Sequence, residues 1–486
     1  MLMNCRILAV LAVLTAMTAT AQETKPGVTN APAALSACTN AVPAKAAPAT
    51  PPPIWAGNWL QSAKKPSSWL KLNGDLRLRH EYVLNSSTLN SEAKNHELSY
   101  MRFRARFGAT ITVVTNLDFN VRMVAEPREW INGRNASGKY RINGNGWDWT
   151  EGVFDQMNLS YTNAFSLPMS IVVGRQDMAM GDLTAPWLVA DGTPMDGSRT
   201  AYFDAARVIY NVEEIQTTFD AAFIRQLGEN DEVLPAINGQ DKFQIEQNER
   251  GAILYVSNKS IKKMEVDGFF MYKHGQRVTP DGINADLYTP GGRIAGNLDK
   301  HWSYNAEGAV QMGNRNSQTV NAFGVNSRVM YGVNDKRNNR FRMTYEYLSG
   351  DDSNSRDYEQ FDTLWGRYPR WTEAGIFYAK AENGRPGDLS NYHRMGPGWS
   401  ISPFKKADFR LDYYYLLADQ NNFHGLKPTL FTKSGDTRGH MITSALKYKY
   451  NQHFSGYLLG EVLLPGDYYV NSEPDLFVRA EVMYTW

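Results

Sequence analysis

The sequence predicts an all-β transmembrane antiparallel barrel of about 18 strands, with short periplasmic turns and long extracellular loops. Three observations carry this. Segments alternate apolar and polar side chains with period two over about 9 to 11 residues, the length a tilted strand needs to cross a bilayer. Short and long connections between them alternate in turn. Beyond residue 21 no stretch approaches the ~18 continuous apolar residues of a membrane-spanning helix, and in lipid only helices and closed barrels satisfy the backbone.

Composition agrees. The chain has 486 residues with Tyr 26, Phe 21 and Trp 12, yet 21% of residues are charged and mean hydropathy is −0.46. That is too polar for a helical membrane bundle. A net charge of +1 gives no bulk attraction to nucleic acid, and no basic run has nucleic-acid spacing.

Residues 1–21 are apolar behind Arg6 and end in Ala19-Thr20-Ala21, the pattern of a signal peptide cleaved near Ala21. Delivery to the outer membrane of a Gram-negative-type envelope follows. Residues 22–60 form an Ala/Pro-rich leader, closing its most biased part with Pro51-Pro52-Pro53, that cannot bury enough apolar surface to fold. It reads as disordered and periplasmic, or alternatively as a tether. Cys5 leaves with the signal and Cys38 remains, so there is no disulfide framework. Leu35-Ser36-Ala37-Cys38 resembles a lipoprotein cleavage box, but a polar segment precedes it where an apolar one is needed. Residues 61–486 are the barrel.

Eighteen strand segments are expected near 69–82, 99–114, 117–129, 151–163, 167–179, 200–212, 216–228, 242–257, 262–274, 285–298, 301–314, 317–332, 339–349, 391–402, 406–419, 437–451, 454–464 and 475–486. The first is the clearest: Leu70, Leu72, Gly74, Leu76, Leu78, His80 and Tyr82 share one face, and Lys71, Asn73, Asp75, Arg77, Arg79 and Glu81 the other. Thr115-Asn116, Asn163 to Ser166, Glu213 to Ile215, Asn258 to Ile261, Lys300, Gly332 to Asn338 and Asn451 to His453 are short connections on one side. The longest connection opposite runs from Gly350 to Asn391. An even count returns both chain ends to the periplasm. The last strand ends in Trp486, an aromatic terminus that resembles the signal read by barrel-assembly machinery. Tyr82, Tyr100, Tyr161, Tyr272, Tyr347 and Tyr448 are expected in the aromatic girdles that meet lipid headgroups.

If apolar faces meet lipid, the other faces line a water-filled interior. In the first strands that set is Lys71, Arg77, Arg79, Arg102, Arg104, Arg106 and Arg122 against Asp75, Glu81 and Asp118. Arg342, Arg410, Lys447 and Lys449 join later, with Glu265, Asp267, Glu307, Glu346, Asp408 and Asp412. Rings of Arg and Lys select anions, and the guanidinium fork binds carboxylate through paired hydrogen bonds. The competing expectation is that these charges pair across strands and only keep the interior polar.

Val173-Gly174-Arg175-Gln176, Tyr202-Phe203-Asp204 with Arg207, Tyr304-Asn305-Ala306-Glu307 with Gln311 and Gly313, and Glu346-Tyr347-Leu348-Ser349-Gly350-Asp351 with Phe361-Asp362 together resemble the alginate export family over 69–486. The resemblance implies an eighteen-stranded monomeric barrel, an electropositive constriction selecting uronate polymers, and gating loops. It would place Arg175 and Arg207 at the constriction. Alternation leaves their faces open, since Arg175 shares parity with Ile171 and Val173.

A general or small-anion porin fits the basic interior equally, and a blocked barrel acting as scaffold or adhesin fits the long 350–391 connection. An enzyme does not fit: no Gly-x-Ser-x-Gly elbow or metal-spaced histidine pair occurs. No cofactor is expected. Asp351, Asp352 and Asp357 supply oxygen ligands of the kind calcium accepts, but their spacing completes no calcium loop, so they read as a solvated acidic loop.

Overall fold

A computed structural model describes residues 62–486 except 87–88, 94–95, 133–146, 150–151, 182–187, 189–201, 230–233, 238, 240–244, 367–370, 376, 378–381, 383–388 and 424–426. The signal segment and the whole 22–60 leader, with Cys38, lie outside the described residues.

Twenty strands follow in chain order. They are β1 (Leu70–Leu84), β2 (Glu97–Val114), β3 (Leu117–Ala125), β4 (Arg128–Asn132), β5 (Trp147–Asp148), β6 (Val153–Tyr161), β7 (Met169–Gln176), β8 (Phe203–Val212), β9 (Thr217–Gln226) and β10 (Gln247–Asn258). Then come β11 (Met264–Arg277), β12 (Ala285–Asn297), β13 (Trp302–Arg315), β14 (Gln318–Gly332), β15 (Arg340–Leu348), β16 (Tyr392–Ile401), β17 (Ala407–Ala418), β18 (Thr437–Lys449), β19 (Phe454–Pro465) and β20 (Asp475–Thr485).

These make eighteen barrel staves. β2 pairs with β3 along Ala105 to Val114 and with β4 along Ser99 to Arg102, while β6 pairs with β3 and β5 with β4. One stave is thus broken at Glu126-Pro127, where proline removes a ladder donor, and the next is broken opposite it. The segment expected as a single strand over 117–129 is this broken stave. Every other pairing is antiparallel between chain neighbours, and β1 pairs with both β2 and β20, so the sheet closes.

Alternation sets the two faces. Leu76 and Leu78 are 49% and 43% exposed, whereas Arg77 and Arg79 between and beside them are 4% and 2% exposed. A one-residue slip would turn those arginines to lipid, which fixes the register. Tyr100 departs from expectation: it is buried on the inward parity of Arg102 and packs on Trp130 at 4.7 Å, so it is not a girdle residue.

The short-turn end is built from residues that tolerate tight geometry. Asn116 takes a left-handed conformation (φ 67°) in the connection between β2 and β3. Asp299 Oδ1 accepts backbone N–H bonds from His301 and Trp302, both at 2.7 Å, which hold its carboxyl below the usual range.

The β1–β20 ladder closes the sheet, and Trp486 seats against the end of that seam. Trp486 N–H donates to Gly74 O at 3.1 Å, and its ring lies 5.1 Å from that of Phe107. A Cβ on Gly74 would fall 2.2 Å from Trp486 Cζ2 and 2.5 Å from Arg106 O, so glycine there makes the seat for the indole. Gly74→Val therefore loosens the β1–β20 seam by about 1–3 kcal/mol. The heat-modifiability midpoint on electrophoresis falls below wild type, and an unchanged midpoint would show that the seam does not use this seat.

Candidate functional site

The arginines of β1 and β2 point inward, as alternation requires, but not as an open row of cations. Arg77 and Arg102 both reach Glu126 at 2.6 Å, the residue freed by the break between β3 and β4. Arg102 also meets Glu81 at 2.9 Å, and Arg479 from β20 meets the same carboxylate at 2.5 Å. Arg79 pairs with Glu481 at 2.6 Å, while Arg104 and Arg106 share Asp75 at 2.8 and 2.5 Å. Arg77, Arg79, Arg102 and Arg104 are all buried. Each of these six arginines thus has a cross-strand carboxylate partner, although they share four carboxylates.

The next wall is paired too. Arg122 meets Asp155 at 2.8 Å and Asp177 at 2.9 Å, and Arg207 meets Asp220 at 2.5 Å. Arg175 is buried, pairs with Asp204 at 2.8 Å and lies 3.7 Å over the Tyr202 ring. Its parity could not be extrapolated because Gly174 has φ 119°, where a Cβ would strike Met157 O at 2.4 Å. On β11 to β13, Arg293 bridges Asp267 and Glu265, both at 2.8 Å, and faces Glu307 in the register.

The larger surplus of positive charge lies on β14 to β18. Outward parity there belongs to Val325, Val329, Phe341, Met343, Leu411 and Ile442, all exposed. Inward parity carries Arg328, Arg340, Arg342, Arg394, Arg410, Lys447 and Lys449 against Glu346, Asp408 and Asp412, seven cations to three carboxylates. Arg342 and Arg410 share Asp412, and Arg394 and the Tyr392 hydroxyl both donate to Glu346. Arg328 stands among Arg342, Arg394 and Arg410. The Arg410 side chain is 42% exposed, and Lys447 and Lys449 are exposed.

Above this wall the β15–β16 connection enters the interior. Asp362 binds β11 and β13: Lys273 Nζ lies 3.3 Å from its carboxylate, and Gln311 Nε2 donates to its carbonyl at 2.7 Å. Trp365 lies where a Cβ on Gly251 of β10 would meet it. Thr372 Oγ1 and the N–H groups of Glu373 and Ala374 then donate to Glu461 of β19, and Glu373 meets Arg479 of β20 at 2.8 Å. Trp371 lies 5.5 Å from the Tyr414 ring of β17. In the closed order β11 and β20 are on opposite sides, so Asp362 and Glu373 of the same connection are anchored on opposite walls. The anchors Lys273, Gln311, Glu461 and Arg479 sit at similar depth, near the long-loop ends of their strands.

Asp351 Oδ1 accepts the Glu359 N–H and Asp352 Oδ1 accepts the Asn354 N–H, both at 2.9 Å, as turn-forming bonds. Among the described residues no His, Cys, Asp and Glu group has metal-binding geometry. Glu126, Arg293, Arg328 and Arg394 were not singled out from sequence. Alternation alone could have found Arg328, whose parity opposes Val325 and Val329, but nothing local marks Glu126 as a partner of Arg77.

A sequence profile described as alginate export matches residues 68–482. No curated protein sequence matches the chain. Among solved structures, the outer membrane protein OpdK of Pseudomonas aeruginosa aligns with a TM-score of 0.53 at 9% identity, over 86% of this chain and 99% of its own. OccAB4 of Acinetobacter baumannii gives 0.52 at 10% identity over 87% and 100%, and OpdQ of Pseudomonas aeruginosa 0.51 at 10% over 86% and 97%. At such identity the likeness is one of fold.

Two consequences are measurable. Glu126→Gln leaves two buried guanidiniums short of a charge partner and costs about 3–5 kcal/mol, whereas Arg410→Ala, at a more exposed pair, costs less than ~1 kcal/mol. Urea unfolding in lipid vesicles separates them, and equal midpoints would contradict the ion-pair description. Glu461→Ala removes the acceptor for the Thr372, Glu373 and Ala374 donors and raises single-channel conductance and current noise. Traces identical to wild type would mean the connection is held elsewhere.

Proposed function

The chain belongs to the alginate export family, and we propose that the outer-membrane channel it forms passes an anionic polysaccharide, a uronate polymer, by diffusion along the arginine-lined wall of β14 to β18. The observation that supports this is the local excess of cations at Arg328, Arg342, Arg394, Arg410, Lys447 and Lys449 over Glu346, Asp408 and Asp412.

The physics favours this wall over the β1–β2 arginines. A guanidinium buried between two carboxylates has its donors engaged and offers little to a passing anion, whereas a half-exposed one exchanges its partner readily. A unit charge pair about 4 Å apart is worth ~4 kcal/mol at an effective dielectric near 20, before desolvation. Several such contacts, each weakened by water and by competing Asp412 or Glu346, let a repeating carboxylate step from one to the next. A single tight site would hold the polymer. The described parts of the β15–β16 connection, Asp362 to Gly366 and Trp371 to Gly375, narrow the passage above the wall and so favour one extended chain at a time.

The same narrowing also favours a second reading, a porin for small anions. Titration of open-channel current with an oligouronate and with the monomeric uronate distinguishes the two. Block by the oligomer at concentrations at least ten-fold lower supports the polymer; equal potency supports the small-anion porin.

In a planar bilayer under a salt gradient, the wild-type reversal potential shows anion selectivity. The Arg328→Ala, Arg342→Ala, Arg410→Ala triple variant shifts it toward zero and weakens oligouronate block by an order of magnitude or more. The Arg102→Ala, Arg104→Ala, Arg106→Ala variant chiefly lowers the yield of folded barrel. Selectivity retained in the first variant and lost in folded molecules of the second would move the pathway to the β1–β2 wall.

A further inference from the structure

The cations of the described strands point inward with one local exception. Arg225 on β9 and Arg250 on β10 share outward parity with Phe223 and Leu254, which are 56% and 47% exposed, and both arginines are exposed. They stand directly opposite each other in the register. Arg250 is in turn opposite His274 of β11, and His274 is opposite Asp286 of β12. The row lies at the long-loop ends of these strands, where the outward apolar band of Phe223, Leu254, Phe270 and Tyr288 stops.

Two like charges directly opposite on one sheet face repel, and here they do so at a membrane boundary. Among the described residues neither arginine forms an ion pair. The nearby carboxylate is engaged: Asp286 Oδ1 accepts the Tyr272 hydroxyl at 2.7 Å and lies 2.9 Å from His274 Nδ1. An open cavity of about 510 Å³ lies at the Arg250, His274 and Asp286 end of the row, with Asn314 in its lining, and Arg225 stands beside Arg250 outside that lining. Neighbouring strands are ~4.8 Å apart, so Arg225, Arg250 and His274 span ~10 Å, the scale of a phosphate and the sugar that bears it.

We infer that this outward corner of β9 to β12 binds the phosphate of a phosphorylated lipid headgroup in the outer leaflet. The two guanidinium forks hold the phosphate oxygens and cancel their mutual repulsion. The apolar band below takes the acyl chains, with Tyr272 and Tyr288, whose rings stack at 5.1 Å, at the boundary between them. The acyl chains separate this ligand from free phosphate, since they fix it against Phe223, Leu254 and Phe270. Asp286 opposes the anion, so its removal strengthens binding.

The test is titration of the full chain in zwitterionic phosphatidylcholine nanodiscs with bisphosphorylated lipid A, with dephosphorylated lipid A and with inorganic phosphate, followed by tryptophan fluorescence and native mass spectrometry. Arg225→Gln with Arg250→Gln weakens bisphosphorylated lipid A binding by roughly ten- to thirty-fold. His440→Gln, another outward strand residue, leaves it unchanged, and Asp286→Asn tightens it. Both arginines are exposed, so the double variant folds, which heat modifiability verifies. Equal affinity in the double variant overturns the proposal. So does dephosphorylated lipid A binding as tightly as the bisphosphorylated form, which would assign the affinity to the apolar band alone. Inorganic phosphate competing at comparable concentration would also overturn it, by assigning the site to a soluble anion.

Discussion

Closure of the sheet between β1 and β20 is the constraint on which everything else rests. A backbone in lipid has no water to fall back on, so an open edge strand would leave a row of unpaired N–H and C=O groups in hydrocarbon. Pairing from Asp75 to Leu84 against Thr485 to Leu476 removes that edge, and Trp486 against Gly74 completes the seam. Once the sheet is closed, alternation becomes obligatory on every stave, because each residue faces either lipid or lumen. The polar half of the sequence is thereby gathered into one enclosed space.

That space then has to balance its own charge. Around β20, β1 and β2 it does so by giving every arginine a carboxylate partner, through carboxylates delivered from three different places. Asp75 and Glu81 come from the same strand as their partners' neighbours, Glu126 from a proline-broken stave, and Glu481 from the far end of the chain. Burying such groups is tolerable only because each has partners within hydrogen-bonding distance. On β14 to β18 the balance is left incomplete, and the unbalanced groups are the more exposed ones. The difference between a structural arginine and one available to a passing anion is therefore its burial and its share of carboxylate, not its position in a sequence stripe. The anchoring of Asp362 on β11 and of Glu373 and Ala374 on β19 and β20 adds a second division, seating one connection on opposite walls near the long-loop ends.

The architecture was largely legible in the sequence, because strand alternation and the parity of short and long connections are local signals that a closed barrel cannot violate. Strand ends were displaced by a few residues, as at β10, where 242–257 was expected and Gln247–Asn258 is found. Inward placement of Arg77, Arg79, Arg102 and Arg104 was also legible. Their neutralisation was not, since Glu481 is distant from Arg79 in sequence and Glu126 leaves the alternation at Pro127. Arg175 resisted for a local reason, the left-handed backbone at Gly174. Tyr100 was misplaced because an aromatic near a strand end reads as a girdle residue until its parity with Arg102 is weighed. The passage of the β15–β16 connection into the lumen has no periodic signature at all, being specified by single contacts such as Asp362 with Lys273.

The most direct measurement is a structure of the protein with a short oligouronate bound. The account predicts ligand density along β14 to β18, with carboxylates within hydrogen-bonding distance of Arg328, Arg342 or Arg410 and below the level of Asp362 and Glu373. Density seated instead against Arg102, Arg104 and Arg106, with their carboxylate partners displaced, would contradict it.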